Sequence, residues 1–323
     1  MAGFVKNVVI VGPGGIGGTF AALLTRSREC HVTVLGRPGA HADAMRERGL
    51  RLEGLDSFVV PVEVIDDAAR IENCDVMIYA VKAQDSGDTL AATAHIEVRD
   101  FATSIQNGVV KDDLLVRTFG RSKVIGALAV VAGERSAPGV IRWTYDGATR
   151  FGELDGHRSD RVDWLVERCA RAGLRTEAST EISSATWTKL VGWSPIGLLA
   201  TLSRQTNAEI LSNELLATAY IGMVHELAEL AGANEVPLLD LGPFEVQTWL
   251  AATAADAIQR VMTSPLARGQ STHSALQDVQ RGEMTEFEAI LGPLLADAST
   301  RKIPMTRTRT LYAALMGLER SLS

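Results

Sequence analysis

The first residues with a pattern that could do chemistry are glycines. VVIVGPGGIG, residues 8–17, places Gly12, Gly14 and Gly17 as GxGxxG directly after an apolar, β-branched run and before a helical pattern that includes residues 19–25. In that order each glycine has a role. Gly12 permits a tight turn, Gly14 lets the backbone approach a pyrophosphate, and Gly17 lets helix and strand pack closely. Gly15 and Ile16 complete the loop, and the anion sits on free N–H groups where the helix dipole favours negative charge. A purely structural glycine turn is the alternative. Strand, motif and helix in series within the first 25 residues favour a dinucleotide site. About twenty residues on, an NAD site usually carries an acid for the ribose hydroxyls. Here VTVLGRPG presents Arg37, a guanidinium suited to a 2′-phosphate, so NADP(H) is the expected cofactor.

Other candidates fail on spacing. GWSPIG, residues 192–197, reads G-x-S-x-x-G rather than a hydrolase elbow, and no strand precedes it. The six histidines show no i,i+4 pair and no grouping suited to a metal; His273, beside Ser274, is expected to have a surface or supporting role.

The elements needed to position the glycine loop are legible around it. Residues 8–11, 32–35, 76–81, 102–105 and 124–131 read as strands alternating with helical patterns, which predicts a doubly wound parallel sheet of the Rossmann type, an α/β fold. Lys82 follows VMIYAV and therefore falls at the carboxyl edge of that sheet, where ligands of such folds bind. Asn107 and Gly108 read as a turn after the strand at 102–105. Beyond about residue 180 the pattern changes. Residues 182–202, 214–230, 243–262, 274–280 and 286–298 are helix-forming, so the chain is expected to comprise a dinucleotide-binding domain over 1–180 and an all-α domain over 181–323. Ser274 and Gln277 form S-x-x-Q, a capping box at a helix start. Pro195 should kink the helix at 182–202.

Composition narrows the function classes. A length of 323 residues fits two domains at roughly 150 residues each, and 46% hydrophobic with 22% charged residues is the globular norm. A net charge of −7 argues against nucleic-acid or anionic-membrane partners. Cys30, Cys74 and Cys169 offer neither a disulfide framework nor metal spacing, and no signal peptide or spanning segment is evident, so a reducing cytoplasm is the expected location.

Taken together, GPGGIGG, AVKAQD at 80–85, QNG at 106–108, FGELDG at 151–156, WTKL at 187–190, SALQDVQRGEMTE at 274–286 and KIPMTRTRTLYAAL near the end resemble the ketopantoate reductase (2-dehydropantoate 2-reductase) family over nearly the whole chain. The resemblance implies an NADPH-dependent reductase of a 2-oxo acid, with a Rossmann domain, a helical C-terminal domain and a place in pantothenate biosynthesis. It implies Lys189 as the catalytic lysine, stabilising and protonating a developing alkoxide. Glu286 matches the acid that pairs with and orients that lysine or the substrate, and it also matches a cofactor contact. Ser274 matches a serine for the substrate carboxylate, Asn107 an asparagine near nicotinamide and substrate, and Lys82 a lysine near the cofactor.

Three positions depart from the family pattern. Asparagines expected four and eight residues after the catalytic lysine are Trp193 and Gly197 here, and Leu291–Gly292 replaces an Asn-Gly. An indole fills space and removes hydrogen-bonding capacity, so a flatter or more apolar oxo or hydroxy compound than ketopantoate is expected. The alternatives are a β-hydroxy acid dehydrogenase and a non-catalytic NADP-binding sensor. Assembly as a homodimer is left open.

Overall fold

The computed structural model describes residues 5–268 and 272–321. Residues 1–4, which open the N-terminal stretch considered above for a leader, lie outside the described residues. The chain divides into two compact units, Met1–Ile182 and Ser183–Ser323.

In chain order the first unit comprises β1 (Asn7–Val11), α1 (Gly15–Ser27), β2 (His31–Leu35), α2 (Ala40–Arg48), β3 (Leu50–Gly54), β4 (Phe58–Val60), β5 (Glu63–Ile65), β6 (Asn73–Tyr79), α3 (Ser86–Thr93), β7 (Glu97–Ser104), α4 (Val110–Phe119), β8 (Ile125–Leu128), β9 (Val131–Ala137), β10 (Val140–Asp146), β11 (Thr149–Glu153), α5 (Asp160–Arg171) and β12 (Thr176–Ala178). Among the described residues, its central sheet has the order β5-β2-β1-β6-β7, with every pairing parallel. This is the expected doubly wound α/β sheet. After Asn7, β1 is apolar at every position because both faces are covered. Val8 and Ile10 join a core with Phe20, Leu24 and Phe101, while Val9 and Val11 join another with Met77, Leu90 and Leu115.

The sequence reading of residues 124–131 as one strand is corrected. β8 ends at Leu128 and pairs antiparallel with β11 in a sheet ordered β12-β11-β8. β9 starts at Val131 in a different sheet, ordered β4-β3-β10-β9. An apolar run does not reveal which partner each half of it finds, and both halves are buried. The strand read over 76–81 runs instead over β6 and stops at Tyr79, so Lys82 lies beyond the strand rather than closing it.

The second unit comprises α6 (Ile182–Ser203), α7 (Asn207–Ser212), α8 (Glu214–Ala233), β13 (Asp240–Leu241), β14 (Phe244–Glu245), α9 (Val246–Ala251), α10 (Ala254–Thr263), α11 (Ser274–Gln280), α12 (Phe287–Thr300) and α13 (Thr306–Glu319). It is helical apart from the two-residue ribbon β13–β14. The single helix read over 243–262 is in fact β14, α9 and α10, broken at Thr253, whose side chain caps α10 by accepting from the Asp256 N–H. α6 is buried around almost its whole circumference, as a central helix with apolar residues on all sides must be. It continues through Pro195. Next to that proline the Gly192 carbonyl accepts a hydrogen bond from the Tyr220 hydroxyl at 3.0 Å.

Candidate active site

The glycine turn leaves β1 at Val11. Gly12 has φ +90°, a region that favours glycine, and a Cβ there would stand 2.6 Å from Val81 Cγ1. Gly17 is pressed against the turn itself, since a Cβ would lie 2.2 Å from the Gly12 carbonyl oxygen. Gly15 is required for a different reason: a Cβ would lie 1.9 Å from the Gly133 oxygen of β9. At Gly14, by contrast, a Cβ would meet nothing within 4 Å. That open side faces the start of α1, which has no side-chain cap and no acid in its first turn. The first N–H groups of a helix, here around Gly15, Ile16 and Gly17, have no partner within the helix. This arrangement fits a diphosphate.

The loop is also held from outside. His41 on α2 has its Nε2 2.8 Å from the Pro13 carbonyl oxygen, and its Nδ1 accepts from the Gly139 N–H at 2.9 Å. Both bonds are satisfied by the neutral ring protonated on Nε2. Burial holds the His41 pKa below its ordinary value, only partly offset by the hydrogen bond to Pro13.

The remaining first-unit candidates gather at the carboxyl ends of the strands. Val81, which packs on Gly12, offers its carbonyl to Gln106 Nε2 at 2.7 Å, and Gln106 also donates to Ser86 at 2.8 Å. Lys82, next to Val81, precedes a short 3-10 turn over Ala83–Asp85, and Asn107, next to Gln106, precedes Gly108 at φ +88°. The Asn-Gly turn read from sequence is therefore present. Arg37 lies two residues beyond β2, is 83% exposed, and forms an ion pair with Asp85 at 2.6 Å. The sequence reading did not find this partner, which lies 48 positions away; its place in AVKAQD beside the sheet edge was the available signal.

In the second unit, Lys189, Trp193 and Gly197 follow one another at i, i+4 and i+8 on one face of α6. The Trp193 ring meets the His273 ring at a centroid distance of 4.5 Å and the Phe287 ring at 5.6 Å, and His273 and Phe287 are 6.2 Å apart. Gly197 makes room for this cluster. A Cβ there would stand 2.4 Å from His273 Cε1 and 2.6 Å from Phe287 Cζ. Trp193 and Gly197, singled out together from sequence as departures from the family pattern, thus belong to one packed group.

His273 narrows one expectation and corrects another. It is 4% exposed, which excludes the surface role and leaves the supporting one. It, and not Ser274, caps α11, with Nδ1 accepting from the Ala275 N–H at 3.1 Å; Gln277 turns instead to the Thr272 carbonyl. Burial pushes the His273 imidazole down to about 3; the Trp193 backbone offsets part of that, and the charge of Lys189 adds to it. Ser274 is exposed at the first position of α11, and Glu286, next to Phe287, occupies the N-cap position of α12. Lys189, Trp193 and Gly197 thus share one face of α6, and Ser274 and Glu286 are the chain neighbours of the His273 and Phe287 rings packed on Trp193. The sequence reading missed His273 and Phe287 as members of this group, because their partners are some eighty and ninety positions upstream.

Burial pushes the thiols of Cys30 and Cys74 up to about 11 and about 12, and that of Cys169 upward as well. Among the described residues there is no group of three or more His, Cys, Asp or Glu side chains placed to hold a metal, and no helix long and apolar enough to cross a membrane.

A glycine turn at the head of a parallel sheet, followed by a helical unit with a lysine beside an aromatic cluster, defines the chain as a Rossmann-type protein with a helical second unit. Family models described as ketopantoate reductase PanE/ApbA and its C-terminal part match residues 8–156 and 181–319, and the chain belongs to that family of oxidoreductases. A 2-dehydropantoate 2-reductase of Pyrococcus abyssi is 27% identical over 313 residues, covering 97% of this chain and 98% of its own. In three dimensions, a PanE/ApbA family ketopantoate reductase from Ralstonia eutropha JMP134 superposes with a TM-score of 0.82 at 24% identity, covering 98% of this chain and 99% of the other. D-mandelate dehydrogenase, in a ternary structure with NADH and anilino(oxo)acetate, gives 0.84 at 17% identity with the same coverage. These two likenesses speak to the fold.

Proposed function

We propose that the protein is an NADPH-dependent reductase of the carbonyl group of a 2-oxo acid or a related small molecule. The observation that carries the reading is the grouping of Lys189 with the aromatic residues around Gly197 in a chain whose first unit has the open glycine turn at Gly14. The relatives named as 2-dehydropantoate 2-reductases and the neighbour bound to NADH and an oxo acid support it.

In this reading the N–H groups of residues 14–17 hold the diphosphate, Arg37 grips the 2′-phosphate, and Lys82 and Asn107 contact the cofactor farther along the sheet edge. Bound there, the cofactor would supply the hydride for the carbonyl carbon. As the C=O π bond breaks, its electron pair moves to oxygen, and the Lys189 ammonium stabilises that charge and gives it a proton, yielding the hydroxy acid. Glu286 orients Lys189 and contacts the cofactor, Ser274 receives the substrate carboxylate, and Trp193 with Gly197 shapes the space for the rest of the substrate. The test is NADPH absorbance across 2-oxo acids, aldehydes and alcohols, followed in both directions. Lys189→Met lowers kcat by roughly 10²-fold or more with cofactor affinity kept. Nucleotide binding without turnover of any compound would replace this reading with that of an NADP-binding sensor.

A further inference from the structure

Glu319, the last residue of α13, is 1% exposed and has no part in the chemistry described above. Its Oε1 accepts from the Thr285 N–H at 2.9 Å and from the Thr285 hydroxyl at 2.5 Å. A hydroxyl that donates to one neighbour keeps a lone pair for another, and Thr285 Oγ1 accepts from the Phe287 N–H at 3.3 Å. The residue between these two anchored positions is Glu286, whose carbonyl opens the α12 ladder by accepting from the Ile290 N–H at 3.0 Å. The Glu286 side chain takes no part in capping α12. The turn that carries it is therefore set by Thr285 and Glu319.

α13 is a firm base for such a clamp. At its start Glu226 of α8 accepts from the Arg307 and Thr308 N–H groups, both at 2.9 Å, and from the Thr308 hydroxyl at 2.8 Å, with a partner for each oxygen. Further along, Arg309 donates to the Leu295 carbonyl at 2.5 Å and to the Ser299 hydroxyl at 2.6 Å, both on α12. Glu319 differs from Glu226 in one respect: its Oε2 is buried without a hydrogen-bond partner among the described residues. All of its hydrogen bonding is directed at Thr285. A buried acceptor left without a partner costs stability, so stability of the helix pair does not account for a carboxyl group at this place.

We infer that Glu319 is a positioning residue for Glu286: through Thr285 it fixes the turn that carries the site acid, and so governs how well that acid orients Lys189. The inference rests on the proposed reductase reading and adds to its machinery a residue of the last helix. It is tested by kinetics with NADPH and 3-methyl-2-oxobutanoate in the full chain, in Glu319→Ala and Glu319→Gln, and in the same variants carrying Glu286→Gln. A small misplacement of a site group is costly, so Glu319→Ala lowers kcat by at least ~10-fold while KM stays within about 3-fold. Glu319→Gln, whose amide oxygen accepts the same two bonds, keeps kcat within about 3-fold. With Glu286→Gln, where the acid to be positioned is gone, Glu319→Ala removes less than about 2-fold more, whereas a purely structural loss would multiply in full. Thr285→Val breaks the link from its other end and gives the same pattern, which decides the matter if circular dichroism shows Glu319→Ala unfolded. A folded variant of either kind with unchanged kcat, or a loss undiminished alongside Glu286→Gln, overturns the inference and leaves the reductase standing. If the unsubstituted chain does not turn over this acid, the absorbance screen decides the reductase reading, and the same cycle is read in NADPH affinity by titration calorimetry. Weakening by Glu319→Ala that vanishes alongside Glu286→Gln supports the inference, and no weakening, or an equal one, overturns it.

Discussion

Arg37 and Asp85 face each other at 2.6 Å with the guanidinium largely in solvent, and an exposed pair of this kind contributes only about 0–1 kcal/mol. A bound 2′-phosphate would compete with Asp85 for the same donors, and the Asp85 carboxylate would repel it. Arg37→Asp therefore lowers kcat/KM for NADPH by at least ~10-fold and narrows or reverses its ratio to NADH, since a charge-assisted hydrogen bond is worth about 1.5–3 kcal/mol. Asp85→Asn moves the ratio the other way. Steady-state kinetics with the two cofactors read both changes, and ratios unaffected by either substitution remove the 2′-phosphate role from Arg37. The glycine roles were legible in the sequence because they lie within six consecutive positions. Asp85 was not, because its partner is supplied by another strand end. Gly197 was legible as a departure from the family pattern, but its reason was not, since only the fold places His273 2.4 Å from where a side chain would begin.

At the scale of elements, the glycine loop, α2 and the β9–β10 turn are tied by one imidazole. His41→Phe keeps approximate ring volume and removes both the bond to the Pro13 carbonyl and the one from the Gly139 N–H. Each lost bond that leaves a partner poorly solvated costs about 1–3 kcal/mol, so a measurable fall in Tm and weaker NADPH binding by titration calorimetry are expected together. A lower Tm with cofactor affinity unchanged would mean that the loop keeps its shape without His41. The parallel sheet was readable because its strands repeat one pattern, a β-branched run followed by a helix. The two mixed sheets were not, since β8 and β9 come from one apolar stretch whose halves pair with different partners. α6 was readable in extent, and Pro195 did not end it because burial on every side outweighs a lost backbone bond.

Over the whole molecule, each unit holds a histidine that is more stable neutral than charged, part-buried His41 in one and buried His273 in the other. Their pKa values in the folded chain lie below the ordinary 6.5, so the unfolded chain binds these protons first. The stability each contributes is complete above pH 6.5 and is lost as pH falls from there, for His273 down to about 3. Urea denaturation at pH 7.5 and at pH 5 should therefore show a drop at the lower pH that is smaller in folded His273→Phe. Equal drops would show that this ring carries none of it. Alternating strands and helices followed by helices alone made the architecture legible, whereas the residues that set its acid response depend on contacts between distant segments.

All three cysteines lie in the first unit, buried and with thiol pKa values pushed above the ordinary range, which makes them less reactive, while the second unit has none. Iodoacetamide should therefore alkylate the native chain slowly, at the rate at which those thiols become exposed, and the mass added over time would clock the opening of residues 1–182 with no signal from the rest. Rapid labelling under native conditions would contradict the packing around Cys74 and Cys169. Added NADPH should slow the reaction, which makes a chemical timer for cofactor engagement available without introducing any label.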